Sequence, residues 1–274
     1  MTSINTNYGA LVALQNLNKT QDELTQVQNE VNTGLKVSSA KDNGAVFAIA
    51  QEARGKVAGF GVAIDTVDKA ISTLDVAISA GNSISDLLTQ LKTAATAATD
   101  PSLTTAQSAA YNATFTKLRD EITNIVSNAS FNGANLISAA GTNVTAFADD
   151  TGSSLITVTA ASFALGGTIN TITSTESVDT VTNAQNALTH VNATITALNK
   201  QLATFGAASS ALSTHKAFLT SVSDSLTAGI GNLVDADLAK ASAQLSSLQV
   251  KQQLGAQALS IANSSSSILL KFFQ

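Results

Sequence analysis

Apolar residues recur along most of this chain in alternating steps of three and four, the spacing that lines one face of an α-helix. From Val57 the line continues through Phe60, Ile64, Val67, Ile71, Leu74 and Ile78. It thins through Gly81 and Ser85 to Leu88 and stops at Asp100-Pro101, because proline excludes helical geometry from the residue before it. A helix over about residues 45 to 98 is expected, roughly 80 Å long at about 1.5 Å per residue. A compact chain of this length has a radius of gyration of only about 19 Å, so the spacing predicts a rod. Thr104, with Gln107 three residues on, offers a capping box for a second helix carrying Tyr111, Phe115, Leu118, Ile122 and Ile125. "SFNGANLIS" (Ser130–Ser138) then breaks the pattern, since Asn-Gly favours a turn.

The pattern changes over residues 141–175. Thr142–Phe147, Leu155–Thr159 and Thr168–Thr173 are rich in Thr, Val and Ile, with Gly and Asp-Asp between them, and short antiparallel strands are expected. From about Val178 the helical line returns as Leu188, Val191, Ile195, Leu198, Leu202 and Phe205, with Leu212 and Leu219 further along and Gly229 and Gly231 as punctuation. A last helix carries Val234, Leu238, Ala241, Leu245, Leu248 and Leu259. At the other end Leu14, Leu17, Leu24, Val31 and Leu35 keep step, with Gln21 and Gln28 at polar positions of the same seam. The fold class is therefore mainly α: an elongated rod of long, coiled-coil-like helices from both termini, with a small antiparallel β insert in the middle.

The two ends carry more apolar surface than one partner covers. Beside the first line of the last helix runs a second, Val250, Leu254, Ile261, Ile268 and Phe272, and the chain closes on "SSSSILLKFFQ". Two helices cannot bury two stripes each, whereas neighbouring copies can. Composition points the same way. Only 12% of residues are charged against 44% hydrophobic, and a surface short of charge is poorly protected against self-association. The net charge of −5 argues against nucleic acid. No run is long and apolar enough to span a bilayer, no basic-then-apolar secretory signal opens the chain, and without cysteine there is no disulfide or thiolate metal site.

Catalytic candidates are sparse, and no cofactor is expected. His190 and His215 lie about seven turns apart along one helical run and read as helix-surface residues. "SSAK" (Ser38–Lys41) and "STHK" (Ser213–Lys216) fit Ser-x-x-Lys but lack the partner motifs of such nucleophiles. "ADDTGSS" (Ala148–Ser154) reads as a solvated hairpin turn, and "GKVAGFG" (Gly55–Gly61) as a site of close helix packing.

Four ordered stretches carry a resemblance. "SINTNYGALVALQNLN", "GLKVSSAKDNGAVFAIAQ" (Gly34–Gln51), "SFNGANLIS" and "LVDADLAKASAQLSSLQVKQQLGAQALSIAN" (Leu233–Asn263) resemble bacterial flagellin, over about 1–140 and 180–274. The resemblance implies a structural subunit of a helical flagellar filament, extracellular, exported by the flagellar type III apparatus without a cleaved signal peptide. It implies as partners other copies of itself or related flagellins, hook-junction and cap proteins, the export apparatus and a chaperone. Residues 1–40 and 235–274 would pair as the filament-core coiled coil, 41–140 and 176–234 would form the helical rod, and 141–175 the outer β insert. Assembly of the core would fall to Ile4, Leu11, Leu14, Leu17, Leu24 and Val31, with Leu238, Leu245, Leu248, Leu254, Leu259, Ile261, Ile268, Leu269, Phe272 and Phe273. Packing of the rod would fall to the two lines Val57–Ile78 and Leu188–Phe205. Hook-filament junction proteins have similar terminal helices; the close Gly34–Gln51 match favours flagellin over these and over a secreted coiled-coil adhesin or effector. Two departures stand out. No proline precedes the final apolar residues, which implies an unbroken last helix. Gln90 and Thr93 stand where relatives commonly carry arginine and glutamate, which implies weak recognition by the animal innate-immunity receptor.

Overall fold

The computed structural model describes residues 6–271, with side chains described as far as Ser264. Among these residues the elements are α1 (Tyr8–Thr33), α2 (Gly44–Ala98), α3 (Thr105–Asn128), β1 (Val144–Phe147), β2 (Leu155–Val158), α4 (Val181–Val234) and α5 (Leu238–Lys271). The fold is mainly α with one small antiparallel sheet. It divides into two units: the residues up to Gly55 together with those from Ser225 onward, and Lys56–Asp224.

In the unit Lys56–Asp224 a single core joins the helices. α2 buries Ala63, Val67, Ala70, Leu74, Ala77, Ile84, Leu88, Leu91, Ala95 and Ala98, and Gly81 falls in step with them. The steps alternate four and three without a break from 63 to 98, a strict heptad. α4 answers with Ala184, Ala187, Val191, Thr194, Leu198, Phe205, Leu212 and Leu219, and α3 with Phe115, Ile122 and Val126. Half of each expected line is therefore displaced by one residue. Val67, Leu74, Val191, Leu198 and Phe205 are central, but Ile64, Ile71, Ile78, Leu188, Ile195 and Leu202 are half-buried flanks, as are Val57 and Phe60. The displaced positions go to small residues (Ala63, Ala70, Ala77, Ala187 and Thr194) that let the helix axes come close, while their larger neighbours close the seam from the sides. At Gly81 a Cβ would lie 2.5 Å from Leu202 Cδ2 and 3.2 Å from Phe163 Cε2, so even a methyl group there would displace the Leu202 side chain.

α3 opens on the expected capping box: the Thr104 backbone N–H donates to Gln107 Oε1 at 2.9 Å, and the Gln107 N–H returns to Thr104 Oγ1. The sheet has two strands, paired from Val144↔Val158 to Phe147↔Leu155. The strand expected over Thr168–Thr173 does not form. Side chains take up the hydrogen-bonding groups that a ladder would need. Asn170 Nδ2 donates to the Phe163 carbonyl at 3.0 Å, and its Oδ1 accepts from the Ile172 N–H. The Thr171 N–H donates to Thr194 Oγ1 at 3.1 Å, and the Thr171 hydroxyl donates to the His190 carbonyl at 3.1 Å.

The Ala148–Ser154 turn is seated on a helix as well as solvated. Its carbonyl at Asp150 abuts Gly59, where any Cβ would collide with it. The Phe147 N–H donates to Thr66 Oγ1 at 3.0 Å, and His215 Nε2 donates to the Ala148 carbonyl at 3.1 Å. Gly59 thus admits the hairpin rather than another helix, which corrects the close-helix reading of Gly55–Gly61.

The unit formed by the chain ends is an antiparallel pair of helices, α1 against α5. Its seam on α1 is Ala10, Ala13, Leu17, Thr20, Leu24, Val27 and Val31, and on α5 Ala241, Leu245, Leu248, Gln252, Gly255, Leu259 and Ala262. At the inner end Gly34 adopts φ 71°, closing α1 with its N–H on the Glu30 carbonyl at 2.9 Å. The chain then bonds across: the Lys36 N–H to the Val234 carbonyl at 2.7 Å, and the Ala236 N–H to the Gly34 carbonyl at 2.9 Å. Val37, Ala50 and Val234 form a small buried core beneath this elbow. Gly229 and Gly231 do not interrupt α4, which ends at Val234.

Candidate assembly surface

The α1–α5 pair changes character along its length. Near the elbow the seam is apolar: Leu24, Val27, Ala241 and Leu248 are buried, with Val31 and Leu245 packed against them. Toward the tips the seam is built from small and polar residues. Ala10, Ala13 and Thr20 face Gln252, Gly255 and Ala262, and Leu17 fills the notch at Gly255, where a Cβ would lie 3.2 Å from Leu17 Cδ1. Gln252 Nε2 donates to Gln21 Oε1 at 2.6 Å, and Asn7 Nδ2 donates to the Ala262 carbonyl at 2.7 Å.

Apart from Leu17 and Leu259, the large apolar side chains of the tip half point outward instead. Tyr8 is 77% exposed, Leu11 55%, Leu254 59% and Ile261 69%, with Val12, Leu14 and Val250 also exposed. Nearer the elbow Leu238 is exposed too. For an isolated pair of helices this leaves more large apolar side chains of the tip half outside the seam than in it. Large exposed apolar side chains in this number on one pair of helices point to an interaction site.

Of the residues assigned to core assembly, the structure brings Leu17, Leu24, Val31, Leu245, Leu248 and Leu259 into the seam. It places Leu11, Leu14, Leu238, Leu254 and Ile261 on the outside. Ile4, Phe272 and Phe273 lie outside the described residues, as do the side chains of Ile268 and Leu269. The expected seam on α1 is off by one at alternate positions: Ala13, Thr20 and Val27 occupy it, and Leu14, Gln21 and Gln28 stand beside it. Val27 could have been found, being the apolar residue three after Leu24; Ala10, Ala13 and Thr20 carry no apolar signal.

The residues with chemical potential are engaged in holding the fold. The hydroxyls and N–H groups of Ser38 and Ser39 all donate to Asp42 Oδ2, at 2.9 to 3.2 Å, which caps the loop and holds the Asp42 carboxyl below its usual range, chiefly through Ser38. Lys216 Nζ pairs with Asp68 Oδ1 at 2.6 Å rather than with Ser213. His190 Nδ1 lies 3.0 Å from the buried Glu176 carboxylate, and the Glu176 backbone carbonyl accepts from Arg119 Nη1 at 2.7 Å. Among the described residues no three His, Cys, Asp or Glu side chains gather as metal ligands, and no helix is long and apolar enough to cross a membrane. Gln90 and Thr93 are both exposed on α2.

Comparison with known proteins supplies the identity of such an arrangement. Residues 4–142 match the model of the bacterial flagellin N-terminal helical region, and residues 188–273 that of the bacterial flagellin C-terminal helical region. The chain is 47% identical over 274 residues to flagellin FljM of Caulobacter vibrioides, covering 100% of this chain and 99% of that one. It is 35% identical to a flagellin of Brucella melitensis, with 100% of both chains covered. The crystal structure of Bacillus cereus flagellin superposes with a TM-score of 0.49 at 21% identity, over 55% of this chain and 85% of that one.

Proposed function

This chain belongs to the bacterial flagellins, structural subunits of the flagellar filament, and we propose that it polymerises by covering the outward apolar faces of α1 and α5 with the same helices of neighbouring copies. The observation that carries this is the outward apolar surface in the tip half of the terminal pair. Apart from Leu17 and Leu259 its large apolar side chains face outward, and the rest of its seam is small or polar, so most of their burial is completed only from outside. The terminal pair is the filament-core part of the subunit, the α2–α3–α4 bundle its rod, and the β1–β2 segment with the loops beside it the outer part. Ile4, Ile268, Leu269, Phe272 and Phe273 add further apolar side chains to the same assembly.

The subunit has no catalytic role: Ser38, Ser39, Asp42, His190 and Lys216 each have a structural partner that accounts for them. It needs no cofactor and binds neither nucleic acid nor membrane. It works outside the cell, and the flagellar export apparatus, a chaperone, and cap and hook-junction proteins complete its set of partners.

The test is reassembly. Purified chain seeded with short filament fragments is expected to grow long helical filaments visible by negative-stain microscopy. Short rings that do not elongate, or no polymer at any concentration, would overturn the reading.

A further inference from the structure

The sequence contains two Asn-Gly pairs, Asn43-Gly44 and Asn132-Gly133. With no side chain on the glycine, its backbone nitrogen is open to approach from the preceding carboxamide. The two pairs are chemically alike, and the fold treats them oppositely. Asn43 stands before the first residue of α2, and its Oδ1 accepts from the Val46 N–H at 3.1 Å while its carbonyl accepts from the Phe47 N–H at 2.9 Å. Its carboxamide is held as a helix cap, and Gly44 is part of the helix.

Asn132 is free of such duty. It forms the exposed head of a tight turn with φ 48°, followed by Gly133 at φ 81°. Two reciprocal bonds of 2.9 Å between Phe131 and Ala134 close that turn, and neither uses the Asn132 side chain or the Gly133 N–H. The Asn132 carboxamide bonds to no described residue.

We propose that Asn132 is a site of spontaneous deamidation in the folded protein, whereas Asn43 is shielded by its capping role. The Gly133 backbone nitrogen, losing its proton to solvent, attacks Asn132 Cγ. The carboxamide C–N bond breaks, ammonia leaves with a proton, and a five-membered succinimide closes. Water then opens either ring carbonyl to give aspartate or isoaspartate. The exposed turn gains one negative charge and, in the isoaspartate product, an extra methylene in its main chain that disrupts the Phe131–Ala134 pairing. The lesion stops there. The next residues are anchored separately, with Asn135 Oδ1 accepting from the Ile137 and Ser138 N–H groups at 2.9 Å and Asn135 Nδ2 donating to the Val126 carbonyl at 2.7 Å. Leu136 and Ile137 stay in the core.

The experiment ages the full-length folded chain in mildly alkaline buffer and follows both sites by peptide mapping, with isoaspartyl methyltransferase labelling as an independent readout. Asn132 is expected to react about 5- to 30-fold faster than Asn43, the factor by which a helix cap shifts a local opening equilibrium. In urea the two sites are expected to react at similar rates. Equal rates in the folded chain, Asn43 ahead of Asn132, or the folded-state order persisting unchanged in urea would each overturn the proposal.

Discussion

Replacing Leu254 and Ile261 together by serine separates assembly from folding. Both side chains are on α5, 59% and 69% exposed in the single chain, so little of their apolar surface contributes to the subunit's own stability. Full burial of a leucine or isoleucine is worth about 1.5–3 kcal/mol, of which about 1–2 kcal/mol per residue remains to be gained on assembly at these exposures. The pair therefore accounts for about 2–4 kcal/mol per subunit. At about 1.4 kcal/mol per tenfold, the critical concentration for polymerisation rises about 30- to 1,000-fold. Sedimentation of polymer over a concentration series reads this directly, with helicity and thermal unfolding of the monomer as the control. The expected outcome is an unchanged monomer that fails to polymerise at concentrations where the parent does. A critical concentration within about threefold of the parent's, far below the shift argued from side-chain burial, would refute the reasoning, because these residues would then face solvent in the polymer too.

Two further perturbations address the fold. Gly59→Val drives a branched side chain into the Asp150 carbonyl, and overpacking of this kind costs about 1–3 kcal/mol; thermal unfolding should show it, with residues 144–158 losing exchange protection first, and an unchanged melting curve would mean that the turn is not seated on α2. Asp42→Asn replaces the carboxylate that accepts four donors from Ser38 and Ser39 with a neutral carboxamide, a weaker acceptor. Since the folded carboxyl titrates below its ordinary 3.8, its contribution is complete above that value and is lost as pH falls through the folded value, so the two proteins should differ in protection of the 34–43 loop near neutrality and converge in strong acid; a difference that persists unchanged in acid would contradict this.

Much of the fold was legible in the periodicity. The stop at Pro101, the Thr104–Gln107 box, the turn at Asn132-Gly133 and the heptad anchors Val67, Leu74, Val191, Leu198 and Phe205 all stand where the pattern placed them. The systematic miss was the second position of each heptad. The eye, like any hydrophobicity scale, takes Ile64 over Ala63, Ile71 over Ala70 and Ile195 over Thr194. Packing chooses the small residue because it lies on the line of closest approach, where volume rather than apolarity decides. On α1 the same ambiguity put Gln21 and Gln28 in the seam in place of Thr20 and Val27. The segment around Thr168–Thr173 failed for a different reason. Its strand-like composition is real, but Asn170, Thr171 and Thr194 satisfy its backbone with side chains, a tertiary arrangement with no local signature. The outward stripe of α5 was legible as a second apolar line at Val250, Leu254 and Ile261, and the need for a partner followed from counting faces.

The central claim is that neighbouring copies complete a burial which the single chain leaves open, and amide hydrogen exchange on monomer and filament measures it residue by residue. The account predicts a graded gain on assembly. Residues 8–20 of α1 and 250–264 of α5, whose seam is mostly small and polar around Leu17 and Leu259, should exchange fast in the monomer and slowly in the filament. Residues 24–31 and 241–248, with their apolar seam, should already be partly protected and gain less. Strong and equal protection of both halves in the monomer, unchanged on assembly, would contradict it and mean that the terminal pair closes on itself.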